Sequence, residues 1–444
     1  MKILNSIVLN KPQFNFVNKQ VIKKYNNLSP LKQDTVSFSS KTKIQTQEPI
    51  IIEDLNDPVL DSIKDITKKH DCYIVGGYMR DYFNGKKTPH DWDLMCTDDS
   101  RALAKEIAES KQGTFIPLDE ERGIYRVVLQ DKTTEFDIAQ ALENDVYLDS
   151  KRRDLTVNSI FYNLNTHEVY DPFNGVSDVE NKIIRTSTLE NMQNDPLRML
   201  RVYRFAAKTG FSIDKELSNY CKQNFPLIQK VAPERINSEL MNIFSAQNCE
   251  FALISMLNDG ALTFLFPSLN GNDEKLKMTI PRMSEIPQTQ PTLKLATLLA
   301  CSDSSIAETT QKLKELKFTK KQIGYIQKLL ENQITPDTIK SKRDFAQIIK
   351  NLDNCTEDAI LLAKVRFEGS NFDQLNELFQ EIKQRFPDFK PLLNGKEVGK
   401  LLGIIPSKQT GEISNELLMQ QLMGNIKTTE DAVRYLNDLK SSIN

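Results

Sequence analysis

Two aspartates one residue apart, Asp91 and Asp93, follow the pair Gly76-Gly77 within the run GGYMRDYFNGKKTPHDWDLM. In an extended strand, residues i and i+2 point to the same face, so both carboxylates can hold hard, oxygen-preferring divalent cations at once. Two such ions clamp a nucleoside triphosphate together with the hydroxyl that attacks it. A Gly-Gly turn lets backbone N–H groups approach phosphate oxygens closely, because no side chain intervenes. The chemistry these residues imply is nucleotidyl transfer. Singly, Asp-x-Asp is common on solvated strands and Gly-Gly is usually a plain turn. Their order carries the weight: Tyr73-Ile74-Val75 reads as a buried strand entering the glycines, and Leu94-Met95 continues a second strand beyond Asp93.

Further segments bring acids and cations toward the same chemistry. In TEFDIAQ, Glu135 and Asp137 alternate with Phe136 and Ile138, the pattern of a half-buried strand. Asp137 there is a third carboxylate, able to accept the proton of an attacking hydroxyl. In NDPLRMLRVYRF, Asp195 suits an N-cap and Pro196 a first helical position, so a helix begins here. Arg198, Arg201 and Arg204 share one flank of it, while Leu197, Leu200 and Phe205 face a core. A carboxylate and a guanidinium one turn apart can offer acceptors and donors to a base edge. The plainer alternative is a cap followed by a solvated charged face. KRRDLTVNSIFYN ends in an apolar run after Asn158 that reads as helix packed on the sheet. DPFNGVSDVENKIIR reads as a structural hairpin around Pro172 and Gly175.

These blocks, with PERINSEL at Pro233 to Leu240, occur in one order across roughly residues 70 to 240. In that order the chain resembles the class II tRNA nucleotidyltransferases and their bacterial poly(A) polymerase relatives. The resemblance implies Mg²⁺ on Asp91 and Asp93, Asp137 as a further catalytic acid, and phosphate contacts from Gly76, Gly77 and Arg80. It implies Arg153 at the triphosphate or ribose, Asp154 at a ribose hydroxyl, and Asp195 with Arg198 choosing the base without an RNA template. Arg201 and Arg204 then hold triphosphate or RNA backbone. The implied partners are tRNA, CTP and ATP. Two departures stand out. The family's Glu-Asp before the base-reading helix is Asn194-Asp195 here, and only 14 residues, 138 to 151, separate Asp137 from Arg152, where many relatives carry a longer flexible loop. The resemblance implies addition of CCA to the tRNA 3′ end, and the short connection points to a form that adds only the two cytidines and leaves the final A to a separate A-adding enzyme. Poly(A) addition is a competing reading, weakened by the lack of a long basic tail. A non-catalytic RNA-binding protein is another, weakened by the intact acid pair.

Composition is consistent with these readings. Lys plus Arg, 58, nearly balances Asp plus Glu, 60, so RNA contacts must come from local patches and not a global field. Six scattered cysteines without paired spacing argue for reduced thiols and against a zinc site, and three histidines are too few for a histidine-rich phosphohydrolase domain. No apolar run approaches the ~18 residues of a membrane span. The first arginine is Arg80, which argues against an Arg-rich mitochondrial presequence and for a bacterial cytoplasmic enzyme.

The elements that must position these residues give an α+β chain: an N-terminal nucleotidyltransferase head, a mixed β-sheet with flanking helices, then an elongated all-α C-terminal region. The boundaries read as a flexible leader at 1–50, the head at 51–190, a helical nucleotide-selecting neck at 191–268, a linker or loop at 269–291, and a helical, tRNA-binding body and tail at 292–444.

Overall fold

The computed structural model describes residues 50–86, 92–367, 371–405 and 407–443. Asp91 and all of the expected leader but Ile50 lie outside them. Among the described residues, β1 (Ile50–Ile51), β2 (Cys72–Val75), β3 (Trp92–Cys96), β4 (Thr114–Asp119), β5 (Ile124–Val128), β6 (Glu135–Gln140), β7 (Phe161–Asn163) and β8 (Glu168–Tyr170) form one sheet. Its order is β1-β8-β7-β2-β3-β6-β5-β4. All pairings are antiparallel except β3 with β6. That parallel pair requires a crossover, which the helix Ser100–Ser110 and the β4–β5 hairpin supply.

Strand β2, inside the sheet, is apolar along its whole length. β2 reads Cys-Tyr-Ile-Val, and Cys72, Ile74 and Val75 are buried between β3 and β7. On one face Val75, Met95, Ala141 and Phe161 pack together. The helix Ser100–Ser110, which touches β3, β5 and β6, buries Leu103, Ala104, Ile107 and Ala108. Asp57, a residue with no signal in the motifs, ties the head's start together. It caps the helix Pro58–Thr67 through Val59 and Leu60, and accepts from Tyr78 Oη at 2.9 Å and Trp92 Nε1 at 3.0 Å.

Two local expectations are corrected. The run after Asn158 is strand β7, not helix, since Phe161 and Tyr162 pair with β2 and β8 as aromatic residues favour. The segment around Gly175 is not a hairpin. Asp171 accepts from the backbone N–H groups of Gly175 and Val176 at 2.7 and 2.8 Å, opening the helix Gly175–Glu180. A Cβ at Gly175 would lie 2.3 Å from the Thr156 carbonyl oxygen, so glycine is required by close approach.

The chain divides into two compact units. One holds the sheet and the described residues through Ile243, with Asn258–Ala261; the other holds Phe244–Leu257 and the chain from Leu262. In the second unit the described residues are helical, without strands. The expected linker at 269–291 contains the helix Asp273–Thr279 and a 3₁₀ turn Ile280–Glu285, and Leu276, Ile280 and Met283 are buried. Its Gly, Asn and Pro content marks the ends of those short elements and not an open loop. Residues 306–334 and 356–386 each hold two successive helices. In the first stretch Thr319 and Gln322 form a capping box that starts the helix Lys320–Glu331. Gly403 (φ 74°) ends the helix Gly395–Leu402 in the left-handed conformation, and Gly411 lies inside the helix Lys408–Leu422. None of these helices is long and apolar enough to cross a membrane.

Candidate active site

Asp93 lies at the start of β3, opposite Val75 on one side and Asp137 on the other; Arg126 stands opposite Asp137 on β5. Residues directly opposite share a face, so Arg126, Asp137 and Asp93 form one row across the sheet. Both Asp137 oxygens are taken by Arg126, at 2.6 Å to Nε and 2.8 Å to Nη2. The same guanidinium reaches Glu135 at 3.1 Å. Asp137, expected as a proton acceptor, is therefore held in a bidentate ion pair beside Asp93. Arg126 was not singled out from sequence; its cross-strand register with an acid was the available signal.

β2 delivers Gly76 next to Asp93. Gly76 has φ 69°, a conformation glycine adopts without strain, and precedes the helix Gly77–Phe83. A Cβ there would sit 3.2 Å from Asp93 Oδ2 and 3.8 Å from Arg153 Nη1, so a carboxylate and a guanidinium converge on the missing side chain. Arg80, expected on a phosphate, is only 1% exposed. Its Nε donates to Asp81 at 3.0 Å and its Nη1 to Asn158 at 2.7 Å, while Nη2 makes no hydrogen bond and the residue lines the cavity at this site.

The KRRD block is organised by an acid its motif does not contain. Asp149, fully buried, accepts from Arg152 Nε at 2.8 Å and pairs with Arg153 Nε at 3.0 Å, using i+3 and i+4 spacing on the helix Val146–Arg152. Arg153 also donates to the Asn158 carbonyl at 3.3 Å and stacks 4.9 Å from the Phe161 ring. Asp154 is buried and accepts from Arg201 at 2.7 Å, from its neighbour Leu155 N–H at 2.9 Å and from Asn158 Nδ2 at 3.3 Å. Burial pushes the Asp154 carboxyl up, but the Arg201 charge and hydrogen bond outweigh it and hold it below the usual carboxylate range.

The helix expected to read the base spans Leu197–Thr209, with Asp195 Oδ1 accepting from Leu197 N–H at 3.2 Å. The other Asp195 oxygen lies 2.9 Å from Arg235, and Arg198 Nη1 donates to the Arg152 carbonyl at 2.8 Å. Asp195 and Arg198 thus occupy one helix start without bonding to one another through their side chains. Burial pushes the Arg198 guanidinium down from its ordinary value. Arg204 pairs with Glu239 at 2.7 Å, and Arg80, Arg201 and Arg204 surround the Phe205 ring at 5.4, 5.6 and 4.3 Å. Arg235 and Glu239 come from the PERINSEL block, to which the sequence reading attached no role.

One cavity of about 520 Å³ is bordered by Gly76, Gly77, Asp93, Arg153, Asp154, Asp195, Arg198, Arg201 and Arg235, among others, whereas Asp137 and Arg126 do not line it. Its wall carries more guanidinium groups than carboxylates, which suits a polyanion. Asp93 at the edge offers carboxylate oxygen, the donor hard divalent ions prefer. Fold and site together define a nucleotidyltransferase head.

The Poly A polymerase head domain model matches residues 72–185, and the model for the probable RNA and SrmB-binding site of polymerase A matches 210–272. The chain is 27% identical to a CC-adding tRNA nucleotidyltransferase of Synechocystis sp. over 83% of its own length and 94% of that protein. It is 28% identical to a CCA-adding enzyme of Ligilactobacillus salivarius over 85% of itself and 95% of the relative. Its fold matches that of the Bacillus stearothermophilus CCA-adding enzyme in complex with CTP (TM-score 0.70, 20% identity, 87% of this chain and 98% of that one). A Thermotoga maritima CCA-adding enzyme complexed with tRNA matches equally well (TM-score 0.70, 19% identity, 88% and 99%). The chain belongs to the class II tRNA nucleotidyltransferase and poly(A) polymerase family, and is an RNA nucleotidyltransferase.

Proposed function

We propose that this enzyme extends the 3′ end of tRNA with C, C and A, drawing on CTP and ATP and copying no strand. The observation that carries the reading is the convergence of Asp93, Gly76 and Arg153 in a guanidinium-lined cavity that Asp195 and Arg198 also line. The oxygen donors fit Mg²⁺, which Asp93 and Asp91, two residues before it in the sequence, would hold. When bound, Mg²⁺ would polarise the 3′-hydroxyl and neutralise charge developing on the triphosphate.

The chain's own residues do the rest. Gly76 and Gly77 leave room for phosphate against the backbone, and Arg153, aimed there by Asp149, supplies positive charge. Arg126 fixes Asp137 beside Asp93 and so sets the field at the carboxylate edge. Arg80, anchored by Asn158, adds a further guanidinium to the cavity lining. Asp154 and Glu239 hold Arg201 and Arg204 at fixed positions along the wall, where they would face triphosphate or RNA backbone. Asp195 and Arg198 present an acceptor and donors to the base edge. A tRNA substrate would place this work in the cytoplasm.

A halt after CC is the second reading. The connection from Asp137 to Arg152 is short and carries a 3₁₀ turn, Leu142–Asn144, and the helix Val146–Arg152 in place of a long loop. The Synechocystis relative is CC-adding, the Ligilactobacillus relative CCA-adding. The test is to offer a tRNA lacking its CCA end with CTP, ATP or both and sequence the products. Full CCA supports the first reading, and two cytidines and a stop support the second. A long A tract would indicate a poly(A) polymerase, and no extension a non-catalytic RNA-binding protein.

A further inference from the structure

β3 carries a second constellation at its other end. Asp93 and Cys96 are three residues apart, so they point to opposite faces of the sheet, and Cys96 does not belong to the nucleotide cavity. Cys96, fully buried, donates its thiol to Asp98 Oδ1 at 2.5 Å, and Asp98 Oδ2 lies 3.1 Å from His70 Nδ1. One thiol sulfur, one imidazole nitrogen and one carboxylate oxygen thereby lie within 4.8 Å of one another. Ligand atoms around a tetrahedral ion stand about 3.5 Å apart.

We propose that His70, Cys96 and Asp98 form a transition-metal site that takes Zn²⁺. The donor set is the first argument. Sulfur and imidazole nitrogen favour a borderline-soft ion, whereas the acid edge at Asp93 offers oxygens that favour a hard one. The imidazole's second nitrogen is the next. His70 is 8% exposed, and its Nε2 makes no hydrogen bond but lies 3.4 Å from Glu106 Oε1. A metal-bound histidine characteristically turns its remaining ring N–H to such a carboxylate, which fixes tautomer and ring plane. Lys69, 3.1 Å from Glu106, holds that carboxylate in place.

Rigidity completes the argument. The His70 N–H donates to the Thr67 carbonyl at 3.1 Å, and the His70 carbonyl accepts from Asn165 Nδ2 at 2.8 Å. Next to Asp98, the Thr97 N–H donates to the Asp71 carbonyl at 3.0 Å, and the Asp98 carbonyl accepts from Gln140 Nε2 at 3.2 Å. Asp98 is the exposed member, with 42% of its side chain accessible, so the ion has an entry route and a fourth position for water. The ion would staple the turn after the helix Pro58–Thr67 to the end of β3 without touching the nucleotide cavity.

The test uses the full chain, stripped with a chelator and titrated with Co²⁺. The expected result is an intense sulfur-to-cobalt charge-transfer band that saturates at one ion per chain. Zn²⁺ should displace it and excess Mg²⁺ should not; it should vanish in Cys96→Ser and His70→Gln and persist in Asp93→Ala. Glu106→Gln should weaken Co²⁺ binding by about 10–100-fold. Zn²⁺ should also raise the melting temperature of the wild type. The absence of a thiolate band in the wild-type chain would overturn the site and leave a thiol–carboxylate–imidazole hydrogen-bond chain. So would a band that survives both ligand substitutions, or one that disappears with Asp93.

Discussion

The nucleotide cavity and the C-terminal end of the helical unit spend charge in opposite ways. Around the cavity, carboxylates are taken out of water to hold guanidinium groups: Asp149 is fully buried, Asp154 is 7% exposed and Glu239 8%. Near the C-terminus the core is apolar, with Val398, Leu417, Ala432 and Leu436 fully buried, and ions stay outside it, as in the bidentate Arg343–Glu416 pair. Removing two charges from water costs more than their attraction commonly returns. The buried pairs are therefore there to fix where cations stand, while the apolar cluster supplies stability. Substitutions in the two regions should separate activity from stability.

The largest effect is expected from Asp93→Ala. Losing the carboxylate proposed to hold Mg²⁺ should remove several kcal/mol of transition-state stabilisation, about a 10³-fold or greater loss in the rate of tRNA extension. Because Asp93 stands at the edge of the cavity and not in an apolar core, thermal unfolding followed by circular dichroism should stay close to that of the wild type. A comparable loss of folding would mean that this acid serves the fold.

Arg201→Ala strikes both properties together. It leaves Asp154 buried with only the Asn158 amide and its own turn as partners, at a cost of about 3–5 kcal/mol at neutral pH. The pH dependence fixes the mechanism. In the wild type the Asp154 carboxyl is held below its unfolded value, so its stabilisation is complete above the ordinary carboxylate range and is lost as pH falls through the depressed folded value. In the variant the main opposing charge is gone, leaving the smaller pull of Arg198 and the Asn158 hydrogen bond against burial, so the same carboxyl rises. Protonation then relieves the buried charge, and the deficit should shrink as pH drops toward about 4. Urea denaturation across that range measures both slopes; parallel curves would refute the pairing.

Leu417→Ala should do the converse. Truncating a fully buried leucine costs about 2–5 kcal/mol through lost burial and the cavity left behind. Extension rate per folded molecule, assayed well below the lowered melting temperature, should be unchanged. A drop in that rate would show that this cluster does more than hold its own helices.

What could be read from the residues follows the same division. Hydrophobic alternation and the Gly-Gly turn placed β2, β3 and β6 correctly, since strand period and turn chemistry are local. Helices in the second unit were visible for the same reason. The breaks within them depended on capping side chains such as Thr319 and Gln322, which a periodicity window averages over. The cavity's cations were visible as types, but their partners were not. Asp149 sits outside its motif, Arg126 meets Asp137 across two strands, and Glu239 reaches Arg204 from another helix. Scattered cysteines argued against zinc, because sequence spacing cannot register that His70 and Asp98 close on Cys96 from two turns.

The smallest expected effect concerns the departure at position 194, where the family's glutamate is an asparagine. Asn194 is exposed, while the carboxylate beside it, Asp195, is held by Arg235 from the helix Pro233–Phe244. If Arg235 supplies the orientation, its removal should let Asp195 turn away from the base edge. Arg235→Ala should then narrow the preference for CTP over UTP by about tenfold, equivalent to one hydrogen bond to a charged group. The melting temperature should move little, since both side chains are partly solvated. Asn194→Glu should alter that preference by no more than about twofold, as expected of a surface change without a buried partner. Competition between the two nucleotides in single-round extension reads both variants on one scale. A larger effect at 194 than at 235 would assign the orientation of Asp195 to its sequence neighbour and not to the helix across the cavity.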